Sequence, residues 1–211
     1  DAALQQAWGS DYTLATAEVP RDLPDNISGA GHSHNLLLQA GETRFADYFD
    51  YINDLVASRI EGLAKVIKDT TNNENVVIAF YGYYFDLYDA QSGHFDFRKL
   101  LESPYLDGFA SPVTYSDRSG SSSSAAATSG YMTAVDSVVR AGKLWVMESD
   151  QRTFINRTEN PNDTFCPPIP TINKIQTVHK REIGTCMVHG TAMYAMDLSG
   201  LGWLDDANIW R

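Results

Sequence analysis

The chain has 211 residues, and its 43% hydrophobic and 20% charged content is typical of a globular protein and excludes wholesale disorder. Its 16 basic and 27 acidic side chains give a net charge of −11, which argues against nucleic acid as a partner. No run approaches the roughly 20 apolar residues that span a bilayer, so we expect no membrane insertion.

The first two elements are a lead-in segment and a long helix. Residues 1–42 contain scattered prolines and glycines, which predicts an irregular segment ahead of a main unit over 43–211. From Thr43 to about Lys68, apolar residues recur at helical spacing, which predicts an amphipathic helix. The continuous apolar run 76–81 is typical of a strand that is buried on both faces.

Helices and strands then alternate to the end of the chain. Further helices are predicted over about 92–101, 134–141 and 171–189, and further strands over about 106–113, 144–147 and 191–196. The buried face of the last helix is expected to consist of Ile172, Ile175, Val178, Ile183, Cys186 and Met187. Four strands with crossover helices predict a parallel α/β sheet, which is either half of a (β/α)₈ barrel or a small doubly wound sheet.

Polar side chains cluster just after each predicted strand. They lie at Tyr83 and Asp86, at 115–118, at 148–152 and at Asp197. In (β/α)₈ barrels the active site is built at the carboxyl ends of the strands, so this placement favours the half-barrel over the doubly wound sheet.

Glu148 is the strongest candidate for a catalytic residue, because it follows an apolar strand directly. Retaining glycosidases use two carboxyl groups about 5 Å apart, one as nucleophile and one as acid/base. A neighbouring arginine and tyrosine would keep such a nucleophile ionised. The alternative is that Glu148 only ends a strand and pairs with Arg152.

Four segments resemble the family-42 glycoside hydrolases, the β-galactosidase group of clan A, and related barrels. Residues 3–10 (ALQQAWGS) are similar to the stretch after the fourth barrel strand, and residues 101–115 to the sixth-strand region. Residues 142–153 (GKLWVMESDQRT) are similar to the seventh strand, which ends in the nucleophile, and residues 190–203 to the eighth strand. The resemblance covers nearly the whole chain and implies the C-terminal half of a (β/α)₈ TIM barrel.

The resemblance also implies roles for individual residues. Glu148 corresponds to the catalytic nucleophile, and Tyr115 to the tyrosine that these enzymes place beside it. The expected substrate-binding residues are Tyr83, Asp150, Arg152, Asp197 and Trp203. The aromatic members would offer a flat face to a sugar ring, unless they pack in the core. No cofactor and no metal site are expected, because no nucleotide-binding or zinc-ligand spacing occurs.

One departure from the family bears on activity. The family's acid/base is the glutamate of an Asn-Glu pair that ends the fourth strand, and no Asn-Glu pair ends a predicted strand here. We therefore expect a fragment that needs the missing barrel half or another protein chain, and that hydrolyses β-galactoside-type bonds with retention only in the intact protein. The alternative is a non-catalytic carbohydrate-binding or structural glycoprotein with a degenerate barrel.

Three Asn-x-Ser/Thr sequons, at Asn26, Asn156 and Asn162, predict glycosylation and a secreted or extracellular protein. Cys166 and Cys186 are not expected to form a disulfide, because the intervening helix separates them by about 20 Å. Cys186 is instead expected to be a buried residue on the inner face of that helix.

Overall fold

The computed structural model describes residues 2–20, 43–85, 92–115, 130–155, 168–197 and 200–211. In chain order the elements are α1 (Ala2–Trp8), α2 (Thr43–Thr70), β1 (Ile78–Phe80), α3 (Phe97–Glu102), β2 (Gly108–Pro112), α4 (Val135–Arg140), β3 (Leu144–Ser149), α5 (Ile172–His189), β4 (Ala192–Ala195) and a C-terminal 3₁₀ helix (Ala207–Trp210). The predicted alternation of helices and strands is confirmed, and β3 extends beyond its prediction to include Glu148 and Ser149.

The four strands form one parallel sheet in the order β1-β2-β3-β4. Its register places Phe80 beside Ala110, Ala110 beside Val146, and Val146 beside Ala192. Consecutive strands are therefore neighbours, and each connection in the described chain passes through a helix. A parallel α/β sheet is the fold class that the sequence predicted.

The helices of the described chain pack on one face of this sheet. Alternate strand residues, among them Phe109, Trp145 and Met147, are buried against α2, α3, α4 and α5. The side chains of these four helices therefore form one core with one face of the sheet.

The other face of the sheet, the open face, carries large side chains that are partly exposed to solvent. Ile78, Phe80, Leu144 and Tyr194 retain between 39% and 45% of their accessible surface. The prediction that the first strand is buried on both faces is therefore wrong. Within its apolar run, Tyr81 is buried on the face that the helices cover, whereas Ile78 and Phe80 lie on the open face.

The buried Lys68, near the end of α2, binds the edge of the sheet at which β1 and β2 begin. Its ammonium donates to Asp107 Oδ2 at 2.6 Å and to the Asn75 carbonyl at 2.8 Å. The same carboxylate oxygen accepts the Val77 N–H at 2.7 Å. One ion pair therefore ties the end of α2 to the starts of β1 and β2.

Helix α5 has the ends that its sequence predicts, but a different buried face. The Thr171 side chain accepts the Lys174 N–H, and Gly190 ends the helix at φ 67°. Ile183 and Met187 are exposed, which contradicts their predicted burial. The buried residues are Ile175, Val178, His179, Glu182 and Cys186. A charged residue enters this face because partners on the sheet satisfy its carboxylate, which a hydrophobic pattern does not register.

Cys186 is a buried free thiol, as expected, whereas Cys166 lies outside the described residues. Among the described helices, none combines the length and the apolar character that crossing a bilayer requires.

The close approach of β2 and β3 generates a stability prediction. A Cβ atom at Gly108 would lie 2.5 Å from the Leu144 carbonyl oxygen, whereas a Cβ atom at Gly184, inside α5, meets nothing within 4 Å. Gly108→Ala should therefore lower the free energy of unfolding by about 1–3 kcal/mol. The control, Gly184→Ala, should raise it by about 0.5–1 kcal/mol. Chemical denaturation measures both, and an unchanged stability of Gly108→Ala would contradict the β2–β3 register.

Candidate active site

Glu148 lies at the carboxyl end of β3 and points to the open face of the sheet. It keeps only 7% of its accessible surface. Its register partner on β4 is Tyr194, whose hydroxyl donates a hydrogen bond to Glu148 Oε2. The carboxylate is therefore held by a neighbouring strand and does not project freely into solvent.

Side chains from the ends of all four strands meet around this pair. Burial raises the pKa of Tyr83, which follows β1. The pKa of Tyr83 is raised further by four nearby side chains: Tyr115 after β2, Glu148 and Asp150 at the end of β3, and Tyr194 on β4. Burial also raises the pKa of Tyr194, and its hydrogen bond to Glu148 and the nearby Asp150 add to that effect. These side chains lie at or just beyond the carboxyl ends of four neighbouring parallel strands, so they form one cluster at that edge of the sheet.

Tyr194 is not one of the candidate catalytic or substrate-binding residues that the sequence predicts. The family resemblance places Tyr115 beside the nucleophile, and the structure shows Tyr194 donating to Glu148. Tyr115 belongs to the same cluster through its effect on Tyr83. The signal for Tyr194 in the sequence was weak, because a tyrosine within an apolar strand is also an ordinary packing residue.

The His94 ring packs against the rings of Tyr83 and Tyr81. Its ring lies 4.7 Å from the Tyr83 ring and 4.9 Å from the Tyr81 ring, centroid to centroid. Its Nδ1 accepts the Gly82 N–H at 3.2 Å, and burial lowers the pKa of the imidazole. His94 is therefore a neutral ring that fixes the turn after β1.

Two of the expected substrate-binding residues have structural partners instead. Asp197 accepts the backbone N–H groups of Leu201, Gly202 and Trp203 at 3.0, 2.8 and 3.1 Å. Trp203 is 2% exposed, so its ring offers no open face to a sugar. Asp197 thus organises the loop that buries this tryptophan. That Asp197 and Trp203 contact substrate stays a prediction, and the burial of the Trp203 ring argues against it for Trp203.

Arg152 contacts the loop that Asp197 organises. Its guanidinium lies 5.5 Å from the centroid of the Trp203 ring. Thr153, the next residue, donates its hydroxyl to the Trp203 carbonyl. The chain after β3 is therefore attached to the chain after β4 on the same side of the sheet.

Glu182 is a third carboxylate of the region, and it is not among the candidate residues that the sequence predicts. It is fully buried on α5 and accepts hydrogen bonds from Ser149 Oγ at 2.7 Å and Gln151 Nε2 at 3.1 Å. Both donors immediately follow Glu148 or Asp150 in the chain. A charged residue inside a helical apolar pattern gives no sequence signal for such a contact.

In the part of the chain that the structure describes, no group of three or more His, Cys, Asp or Glu side chains could hold a metal ion. The sequons at Asn26, Asn156 and Asn162 lie outside the described residues. Asp86 and residues 116–118, two of the polar segments noted after the strands, also lie outside them.

No family model, curated protein sequence or solved structure matches this chain. The resemblance to family-42 glycoside hydrolases therefore rests on the segments quoted above. The cluster itself combines five groups at one edge of the sheet: the buried carboxylate of Glu148, its donor Tyr194, the carboxylate of Asp150, and the tyrosines Tyr83 and Tyr115.

The pair formed by Glu148 and Tyr194 generates a titration prediction. Glu148→Gln removes the negative charge beside the Tyr194 hydroxyl, so the pKa of Tyr194 should fall toward the ordinary tyrosine value of 10.0. Burial, the largest cause of the increase, remains, so the fall should be partial. Carbon-13 NMR of Cζ-labelled tyrosine against pH measures it, with Tyr194→Phe assigning the signal.

Tyr131 is the internal control for this titration. Burial is also the first cause of its raised pKa, and it bonds Thr191 at 2.8 Å, away from Glu148. Its pKa should not change in Glu148→Gln. An unchanged pKa at Tyr194 would contradict the hydrogen bond between Tyr194 and Glu148.

Proposed function

We propose that this chain is the C-terminal half of a (β/α)₈ barrel, and that the intact protein hydrolyses β-galactoside-type glycosidic bonds with retention of configuration. The observation that carries the proposal is the buried Glu148, held by Tyr194 at the carboxyl end of a parallel strand. Active sites of (β/α)₈ enzymes are built at that end of the strands. The sequential strand order and the helices on one face support the half-barrel.

In the proposed reaction Glu148 is the nucleophile. Its carboxylate oxygen forms a bond to the anomeric carbon while the glycosidic C–O bond breaks, and the leaving oxygen takes a proton from a general acid. Water then attacks the glycosyl-enzyme, giving its proton to the same group, now a base, and releasing Glu148. The Tyr194 hydroxyl stabilises the charged form of Glu148 because it donates to that carboxylate.

We propose that the acid/base comes from outside the described cluster, because in the family that this chain resembles it is the glutamate of an Asn-Glu pair at the end of a strand. Asn73-Glu74 is an Asn-Glu pair in this chain, but it lies in the turn between α2 and β1, where Asn73 has φ 62°, and does not end a strand. We propose that a second half-barrel supplies the acid/base from its own strand ends.

The open face of the sheet supports that partner. In the described chain β1 and β4 each have one unpaired edge. The exposed side chains of the open face include the apolar Ile78 and Phe80 on β1 and Leu144 on β3. Four further parallel strands would pair with both edges and bring the total to eight, the number at which side chains fill a barrel interior.

The second candidate function is a non-catalytic carbohydrate-binding or structural glycoprotein that has kept the barrel. The observation that favours it is that no Asn-Glu pair ends a strand in this chain. The sequons at Asn26, Asn156 and Asn162 fit either function in a secreted protein.

A covalent trap separates the two functions. An activated 2-deoxy-2-fluoro-galactoside should label the intact protein on Glu148, and peptide mass spectrometry should locate the label. Glu148→Gln should abolish labelling and lower turnover by several orders of magnitude, because no nucleophile remains. The control is Glu102→Gln, which changes an exposed carboxylate that pairs with Arg98 of the same helix, and should leave both unchanged. Turnover that persists in Glu148→Gln would refute the catalytic assignment.

The open face makes a separate prediction for the isolated chain. Expressed alone, the 211 residues should self-associate or bind a dye that reports exposed apolar surface, because in the part of the chain that the structure describes two sheet edges and one apolar face lack a partner. Co-expression with the missing half should suppress both effects. Sedimentation and dye fluorescence measure them, and a dye-free monomer with a sharp unfolding transition would refute the half-barrel.

A further inference from the structure

The chain at the end of β3 alternates between two surroundings. Glu148 faces the open side of the sheet and Asp150 acts on the same tyrosines, whereas Ser149 and Gln151 turn to the helix side. This is the period of two expected of extended backbone. Two residues of the segment thus belong to the cluster, and the two between them do not.

The two helix-side residues share one acceptor, Glu182 of α5. Ser149 Oγ donates to Glu182 Oε2 at 2.7 Å, and Gln151 Nε2 donates to Oε1 at 3.1 Å. All three side chains are buried, so no bulk water competes for these bonds. A hydrogen bond to a charged acceptor in such surroundings is stronger than a neutral bond at the surface.

We infer that Glu182 is a positioning residue: by holding Ser149 and Gln151 on the helix side, it fixes the direction in which Glu148 and Asp150 face the cluster. The inference rests on the proposed role of Glu148 as nucleophile. Glu182 itself does not touch substrate, because it lies on the opposite side of the strand from the open face.

The physical reason is that Glu148 and Ser149 end β3 and that the alternation of side chains continues to Gln151. In such a segment, rotating one side chain toward the other face rotates its neighbours with it. Two anchors two residues apart resist that rotation, whereas one anchor would leave the segment free to turn beyond it. The backbone adds a third point, because Ser149 O accepts the Met196 N–H at 2.8 Å.

Two variants of Glu182 separate positioning from charge. Glu182→Gln removes the negative charge but keeps one acceptor oxygen, and the Gln151 amide can turn to accept from the new amide nitrogen. Glu182→Leu removes both acceptors and leaves the Ser149 hydroxyl and the Gln151 amide without partners on α5. The measurement is the pKa of Tyr194 in the intact protein, which reports the hydrogen bond to Glu148.

In Glu182→Leu the pKa of Tyr194 should fall by about one pH unit, toward its value in Glu148→Gln. In Glu182→Gln it should stay close to the native value, and the pKa of Tyr131 should stay unchanged in both variants. An equal fall in the two variants would show an effect of charge alone and overturn the inference. No fall in either variant, or a parallel fall at Tyr131 that reports general loosening, would also overturn it.

If Glu182→Leu does not fold, the double variant Ser149→Ala/Gln151→Leu removes the same two hydrogen bonds from the other side. The same fall at Tyr194 is then expected, and its absence overturns the inference. The proposed function has a separate test. It fails if the fluoro-sugar does not label Glu148, even where the pKa of Tyr194 changes as expected. Where labelling occurs, kcat in Glu182→Leu should drop about 10- to 100-fold with KM little changed, and Glu182→Gln should restore most of it.

Discussion

Parallel pairing of the four strands is the constraint on which the rest of this structure depends. Because all four run in one direction, their carboxyl ends lie at one edge of the sheet, and the register sets Glu148 directly beside Tyr194. Tyr83 and Tyr115 reach the same edge from β1 and β2. Residues that are far apart in the chain therefore form one cluster, at the ends of neighbouring strands and in the turns that follow them.

The same strands divide their side chains between the two faces. On β3, Trp145 and Met147 complete the core against the helices, while Glu148 faces the open side. The strand that carries the candidate nucleophile is thus also a central strand of the core. Any change that loosens the core should therefore reach the site, and Glu182 lies where the two meet.

The open face is the surface that the proposed partner would cover. Its helix side is closed by α2 to α5, but its other side exposes Ile78, Phe80 and Leu144. Apolar side chains grouped on one face lose the stabilisation that burial would give them, so such faces are usually covered by another surface. The proposed catalysis and the proposed partner are linked for this reason, since the surface that covers the face would also bring the acid/base.

The sequence by itself determined the order of helices and strands, both ends of α5 and the position of Glu148 at the end of a strand. Each of these follows from local physics: the period of apolar residues, the capping residue Thr171 and the left-handed Gly190. Only the tertiary structure decided that Tyr194 donates to Glu148, that Trp203 is buried and that Glu182 replaces an apolar residue in the core. Those features depend on which strands pair and on hydrogen bonds between residues more than thirty positions apart, at 33 for Ser149 and Glu182 and 46 for Glu148 and Tyr194. Local patterns carry no information about such partners, because burying a polar group is favourable only when the fold supplies its hydrogen bonds.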